Sequence, residues 1–302
     1  MGQEIQALAA PRTGQVIRAA LASRARAYWT LIKSLQTGLL LFTGLAGYLS
    51  TSSEHPWGAV LGVAGSLFLA ISGSTMLNMV YDRDIDAEME RTAQRPLPAG
   101  KLAWREALAV GLLVGSAGVA WAVLLSPLFG LVVFAGLFLD VAVYTVWLKR
   151  RTPWSVVWGG LSGGMPILAG RALAAGQIEP IGVMLALVVL LWIPTHIMTF
   201  SIKYAGDYAK ARVPVFPNVY GEGATRRAIA LSTVLAAVLM SLAAWQIGLP
   251  WGWLHATVAL GAVLIALAVA GAVFPSSRLN HVLFKCASLY MLGAMALIIV
   301  GA

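Results

Sequence analysis

Long apolar runs restrict this chain more than any other feature. Nine stretches of spanning or near-spanning length follow one another, at about 29–50, 57–80, 106–125, 128–148, 154–172, 181–203, 226–247, 251–273 and 282–301. Some 20 apolar residues in a helix match the hydrocarbon thickness of a bilayer. Lipid offers the backbone no hydrogen-bond partner, so such runs must be helical or close a barrel. The runs predict an all-α polytopic membrane protein, a bundle of about nine transmembrane helices. Of 302 residues, 59% are hydrophobic and only 11% charged, which excludes a soluble globular domain. Ser126–Pro127 and Gly248–Pro250 separate neighbouring runs so closely that each reads as a tight turn.

The cations sort themselves along this series. Every lysine and arginine except Arg171 lies in the tail, at the start of the first run, or in or at the margins of a connection after the second, fourth, sixth or eighth run. The positive-inside rule then places the N-terminus in the cytoplasm and the C-terminus outside. It also accounts for the net charge of +9 without any nucleic-acid partner. Residues 1–27 read as a cytoplasmic N-terminal tail rather than a secretory signal, because no apolar stretch precedes a cleavage site. Residues 28–302 read as a single transmembrane domain with long cytoplasmic connections at 82–105 and 204–225. The single cysteine, Cys286, forms no intrachain disulfide and reads as a small core residue.

The first long connection holds the main polar motif. Five of the twelve acidic residues fall between Asn78 and Pro98. Asn78, Asp82 and Asp86 recur every four residues, so a helix stacks them on one face, with Asp84 on the other. Two like charges one turn apart repel, and a cation between them relieves this. All-oxygen ligands suit Mg²⁺, which keeps waters and binds carboxylates together with a substrate phosphate. Arg91 and Arg95 follow, four apart, and guanidinium forks suit the outer oxygens of a polyphosphate. A solvated charged helix end is the bland alternative for the same residues.

A second polar face is expected at the end of the sixth run. His196, Thr199, Lys203 and Asp207 are spaced so that one continuous helix would present all four together. Asp207 is then a candidate second metal ligand and Lys203 a phosphate contact, although an i,i+4 pair would explain both. His196 lies within a membrane run, where an ionisable group is expensive and often functional. Asp140 sits inside the fourth run with Tyr144 one turn on, and should face the bundle interior or water. Lys149, Arg150 and Arg151 close that run, placed to meet an anionic headgroup.

Together these motifs resemble the UbiA-type intramembrane prenyltransferases, whose Asn and two Asp at four-residue spacing match Asn78, Asp82 and Asp86. The resemblance is nearer to the heme O synthase (protoheme IX farnesyltransferase) branch and covers roughly residues 74–220. Asp82 to Asp86, Met89 to Thr92 and Arg95–Pro96 match its first signature. Tyr144–Thr145, Leu148 to Pro153, Gly159–Gly160, Gly164, Pro166 and Gly170 match the middle one. Asp207–Tyr208, Ala211, Pro214 and Pro217 match the loop after the sixth helix. The chain departs from the pattern at Thr195-His196-Ile197, where the family has Pro-His-Phe, and at Arg171, where an aromatic residue is usual.

The resemblance implies Mg²⁺ held by Asn78, Asp82, Asp86 and Asp207, with farnesyl diphosphate as donor and heme B as acceptor. Asp82, Asp86, Asp207 and Lys203 would then be catalytic. Arg91, Arg95, Tyr144, Lys149, Arg150, His196 and Tyr208 would bind substrate. It also implies an inner-membrane location with the site facing the cytoplasm, contact with membrane lipid, and a downstream heme-modifying enzyme. Rival readings are a UbiA-type enzyme acting on a quinone precursor or lipid, an ion-coupled transporter, and a non-catalytic heme-handling protein. Transporter sites tend to lie at the bilayer midplane on broken helices, whereas these charges cluster at helix ends.

Overall fold

The computed structural model describes residues 13–51 and 54–302. The chain runs through α1 (Thr13–Leu31), α2 (Ser34–Leu49), α3 (Trp57–Tyr81), α4 (Arg83–Glu88), α5 (Trp104–Leu125) and α6 (Pro127–Phe138). A π-helical segment, Leu139–Leu148, continues α6. Then come α7 (Ser155–Ala175), α8 (Pro180–Lys203), α9 (Ala205–Lys210), α10 (Phe216–Tyr220), α11 (Glu222–Ile247), α12 (Trp251–Val273) and α13 (Ser277–Gly301). No strand occurs among the described residues.

Seven of these helices are long and apolar enough to cross a membrane: α3, α5, α6 with its π-helical continuation, α8, α11, α12 and α13. Helix α2 is apolar but shorter, and α7 is long enough but carries many glycines and Arg171. Large apolar side chains such as Leu124, Leu35 and Leu289 stand exposed around the bundle, as lipid allows and water does not. Exposed tryptophans sit at helix ends, Trp57 on α3, Trp104 on α5, Trp245 on α11 and Trp251 on α12, where an interfacial belt would place them.

Successive helices pack beside one another, and α13 returns to touch α2 and α8, while α7 lies against α2, α6 and α8. Lipid supplies no hydrophobic drive between helices, so close backbone approach through small residues carries the packing. A Cβ added to Gly73 of α3 would stand 2.4 Å from the backbone of Gly115 on α5. One added to Gly170 of α7 would stand 2.0 Å from the Gly44 carbonyl of α2.

Helix α1 runs through residue 27 and on to Leu31. Ala27, Leu31 and Ile32 are buried with Met76, Met79 and Leu102, and Tyr28 Oη donates to Glu106 Oε1 at 2.6 Å. The part of the tail before residue 13 lies outside the described residues. One expectation needs correcting: the end of the sixth run is not one continuous helix. Tyr204 (φ −112°, ψ 25°) interrupts it between α8 and α9, although the Tyr204 and Tyr208 N–H groups still reach the Phe200 and Tyr204 carbonyls at 3.1 and 3.2 Å.

Candidate active site

The first long connection carries Asp82 at the junction of α3 and α4 (φ −84°, ψ 1°). The Asp82 N–H still reaches the Asn78 carbonyl at 2.9 Å, and the Asp86 N–H reaches the Asp82 carbonyl at 2.8 Å. The four-residue stacking therefore survives the change of helix. Asn78, Asp82 and Asp86 are all buried, whereas Asp84 points outward. Arg150 takes Asp84 through a fork at 2.7 and 2.6 Å, which holds its carboxyl below the usual range. Arg150 also donates to the Tyr81 carbonyl at 2.8 Å and stacks on the Tyr81 ring. It is thus engaged on the outer face of α4, away from the buried carboxylates expected to share a substrate with it.

Each buried carboxylate already has a cation. Lys149 Nζ donates to Asp82 Oδ2, and Arg95 Nη1 donates to Asp86 Oδ2 at 2.7 Å. Burial pulls the Lys149 ammonium down, but the Asp82 carboxylate and Tyr144 outweigh it and leave the lysine above its ordinary range. Among the described residues Asp82 Oδ1 is buried with no hydrogen-bond partner. Such an atom is expensive to leave bare, so it marks where a further positive centre fits.

Asn78 is gripped at both ends by the π-helical segment. Its Nδ2 donates to Asp140 Oδ2 at 2.8 Å, and its Oδ1 accepts from Thr145 Oγ1, also at 2.8 Å. The wider winding, seen in the 2.8 Å bond from Lys149 N–H to the Tyr144 carbonyl five residues back, brings Asp140, Thr145 and Lys149 to the same helix face of α3. In the sequence Thr145 stands out only as part of the middle signature, and no local signal marks a π-turn.

The second connection closes over the first. Ile85 and Met89 pack on Ala211 and Val213, with Tyr208 and Val215 at their edge. The Arg91 backbone N–H lies 3.5 Å from Asp207 Oδ2. The Arg91 guanidinium stands over Phe200 and Tyr204, at 4.8 and 5.3 Å, with Nε buried and without a hydrogen-bond partner among the described residues. Asp207 therefore reaches the first motif, while Lys203 does not. Lys203 is exposed and lines a separate hollow with Arg226, Asn280 and His281. His196 is likewise turned away. Its ring is stacked between Trp192 and Phe284, at 5.1 and 4.5 Å, with Nδ1 3.2 Å from Ser288 Oγ. Its neighbour Ile197 instead lines the cavity that contains Tyr144, Lys149, Tyr208 and Phe216. Arg171 lies at the opposite end of α7, paired with Glu179 and donating to Ser50.

Lys33 is a cation near this end of the bundle that charge counting alone did not mark as a candidate. It occupies the left-handed region (φ 47°, ψ 59°) just before α2. Burial, then the nearby Arg95 and Lys149, push its ammonium down to about 8, while Asp140 and Asp82 oppose them. One turn on, Gln36 borders both the Tyr144–Tyr208 cavity and a deeper apolar one below Ser74 and Asp140. The ensemble is an anion-and-cation site at one end of the bundle, opening into apolar space.

Among the described residues, no three His, Cys, Asp or Glu side chains converge on one point. An all-oxygen pair with one unpartnered carboxylate oxygen nevertheless fits Mg²⁺, whose shell is ordinarily completed by water and phosphate oxygens.

Residues 39–297 match the UbiA prenyltransferase family. The chain belongs to that family. It is 42% identical to the protoheme IX farnesyltransferase of Archaeoglobus fulgidus, covering 85% of this chain and 91% of that one. It is 38% identical to the protein of the same name from Desulforudis audaxviator, covering 96% of each. Among solved structures, digeranylgeranylglyceryl phosphate synthase superposes with a TM-score of 0.76 at 21% identity, over 92% of this chain and 98% of that one. A UbiA homologue from Archaeoglobus fulgidus, bound to GPP and Mg²⁺, gives 0.67 at 14% identity, over 90% and 99%. These likenesses establish the UbiA fold, and the family makes this an integral, multi-pass membrane prenyltransferase.

Proposed function

We propose that this protein transfers the farnesyl group of farnesyl diphosphate to a vinyl group of heme B, making heme O. The carrying observation is the match to relatives named protoheme IX farnesyltransferase over nearly the full length of both chains. The buried, partly unsatisfied carboxylate pair beside apolar cavities supports the donor half.

In this reading Asn78, Asp82, Asp86 and Asp207 hold Mg²⁺, which neutralises charge on the departing diphosphate. Lys149 and Arg95 leave their carboxylates to grip phosphate oxygens, joined by Arg91 and Lys33. The cavity at Tyr144, Tyr208 and Ile197 holds the acceptor ring, and its apolar walls keep stray water from the allylic carbon. His196, stacked between Trp192 and Phe284, lies outside the lining of that cavity and is not assigned to the ring. A vinyl carbon bonds to the allylic carbon, and water completes the hydroxyethylfarnesyl group. The charge distribution favours a site facing the cytoplasm from the cell membrane. An apolar heme product would stay near membrane lipid until a heme-modifying enzyme takes it.

The test is incubation of purified protein with Mg²⁺, farnesyl diphosphate and heme B, followed by mass spectrometry. Heme gaining one farnesyl group plus water supports the proposal. Prenylation of a hydroxybenzoate or a glycerol phosphate lipid, with heme untouched, refutes the acceptor and keeps the donor site.

A further inference from the structure

One carboxylate at the site has no part in the reading above. Asp140 lies within the membrane-spanning helix, at the second residue of its π-helical segment. Its Oδ2 accepts from Ser74 Oγ at 2.5 Å and from Asn78 Nδ2 at 2.8 Å. Among the described residues no hydrogen bond reaches Oδ1. The side chain lines the deeper cavity, whose other walls include Leu67, Ile71, Val133 and Met165. A carboxylate at such depth is expensive and generally functional.

Helix α3 supplies a ruler for what lies opposite it. Its lining changes about every 5 Å, one turn at a time, from Asp82 through Asn78 and Ser74 to Ile71 and Leu67. A donor with its diphosphate at Asp82 and its tail among the apolar residues brings its allylic carbon level with Asn78 and Ser74. Asp140 stands at that level.

We propose that Asp140 is a catalytic carboxylate whose charge faces the allylic carbon and stabilises the positive charge that develops there. This rests on the donor half of the function above and holds for any acceptor. In the step, the bond from the allylic carbon to the diphosphate oxygen breaks, and its electron pair leaves with the diphosphate. The allylic system carries the positive charge until a π-electron pair of the acceptor forms the new carbon–carbon bond. Asp140 makes and breaks no bond. Its two donors hold Oδ2 in place, so the charge is oriented before the reaction begins.

The test uses the whole protein in detergent micelles with Mg²⁺ and inorganic diphosphate. Two analogues are compared, one with a protonated nitrogen at the allylic position of a farnesyl chain and one a neutral ether of the same shape. Wild type should bind the cation roughly 10²-fold more tightly, as an enzyme binds a mimic of its transition state. Asp140→Asn keeps an acceptor oxygen for Ser74 and Asn78 but removes the charge. It should bind the ether as wild type does and lose the preference for the cation. Its kcat should fall about 10²-fold with donor KM little changed. Asp140→Glu should retain the preference. An undiminished preference in Asp140→Asn would mean that Asp140 only props Asn78, and would overturn the proposal. If wild type binds neither analogue, the donor-site reading itself fails, and this role falls with it.

Discussion

Two ion pairs join the same two stretches of chain, and they should differ sharply in energy. Asp82–Lys149 is enclosed, with side chains 6% and 20% exposed, and Asp84–Arg150 is open, at 61% and 30%. Removing one partner of a buried pair strands a charge in low dielectric and costs about 3–5 kcal/mol. The Asp82 side already carries one unbonded oxygen, so Lys149→Met leaves a carboxylate with no partner on either oxygen. An open pair, even a forked one, is worth about 0.2–1 kcal/mol. Parallel double-mutant cycles, Asp82→Asn with Lys149→Met and Asp84→Asn with Arg150→Met, isolate each coupling. Unfolding in detergent micelles, followed by tryptophan fluorescence without metal, gives the free energies. The inner pair should show coupling above about 2 kcal/mol, and the double variant should be more stable than the sum of the singles implies. The outer pair should stay below about 1 kcal/mol. Equal coupling in the two cycles would refute the argument, because burial is the property that separates them.

Asn at Asp82, Asp86 or Asp207 should each lower Mg²⁺-dependent farnesyl transfer about 10²–10³-fold, while Asp84→Asn stays near wild type; comparable loss at Asp84 would remove the helical-face argument. Lys203→Ala should leave diphosphate affinity in a calorimetric titration unchanged, since the residue faces another hollow, and a tenfold loss would return it to the site. Lys33 is depressed to about 8, so the fold disfavours its cation and stability should rise between pH 8 and its ordinary 10.5. Diphosphate favours the cation, so affinity for it should fall as pH passes about 8, and Lys33→Met should flatten that dependence; an equal fall in the variant would clear Lys33. Cysteines at Ala93 and Val219 should label from one side of the membrane and at Gln177 from the other, and labelling of 93 and 177 from the same side would break the topology.

Composition and spacing were enough to determine that this chain is a helical membrane bundle, and they marked Asn78, Asp82 and Asp86 as its candidate oxygen ligands. Apolar length is a local property, and lipid admits few alternatives to a helix. The alignment of Asn78, Asp82 and Asp86 was also local, because one helical turn survives the junction at Asp82. The tertiary structure alone decided which residues beyond that motif belong to it. Lys203 lines a hollow with Arg226 and His281 while Asp207 meets the Arg91 backbone, and periodicity, which places the two on one face, holds no sign of these different neighbours. The π-helical winding turns Asp140, Thr145 and Lys149 toward partners more than 60 residues away in sequence. His196 and Arg150 illustrate the same limit. Each is chemically suited to a substrate, yet packing against Trp192 and Phe284 in one case, and an outward-facing aspartate in the other, gives it a different partner.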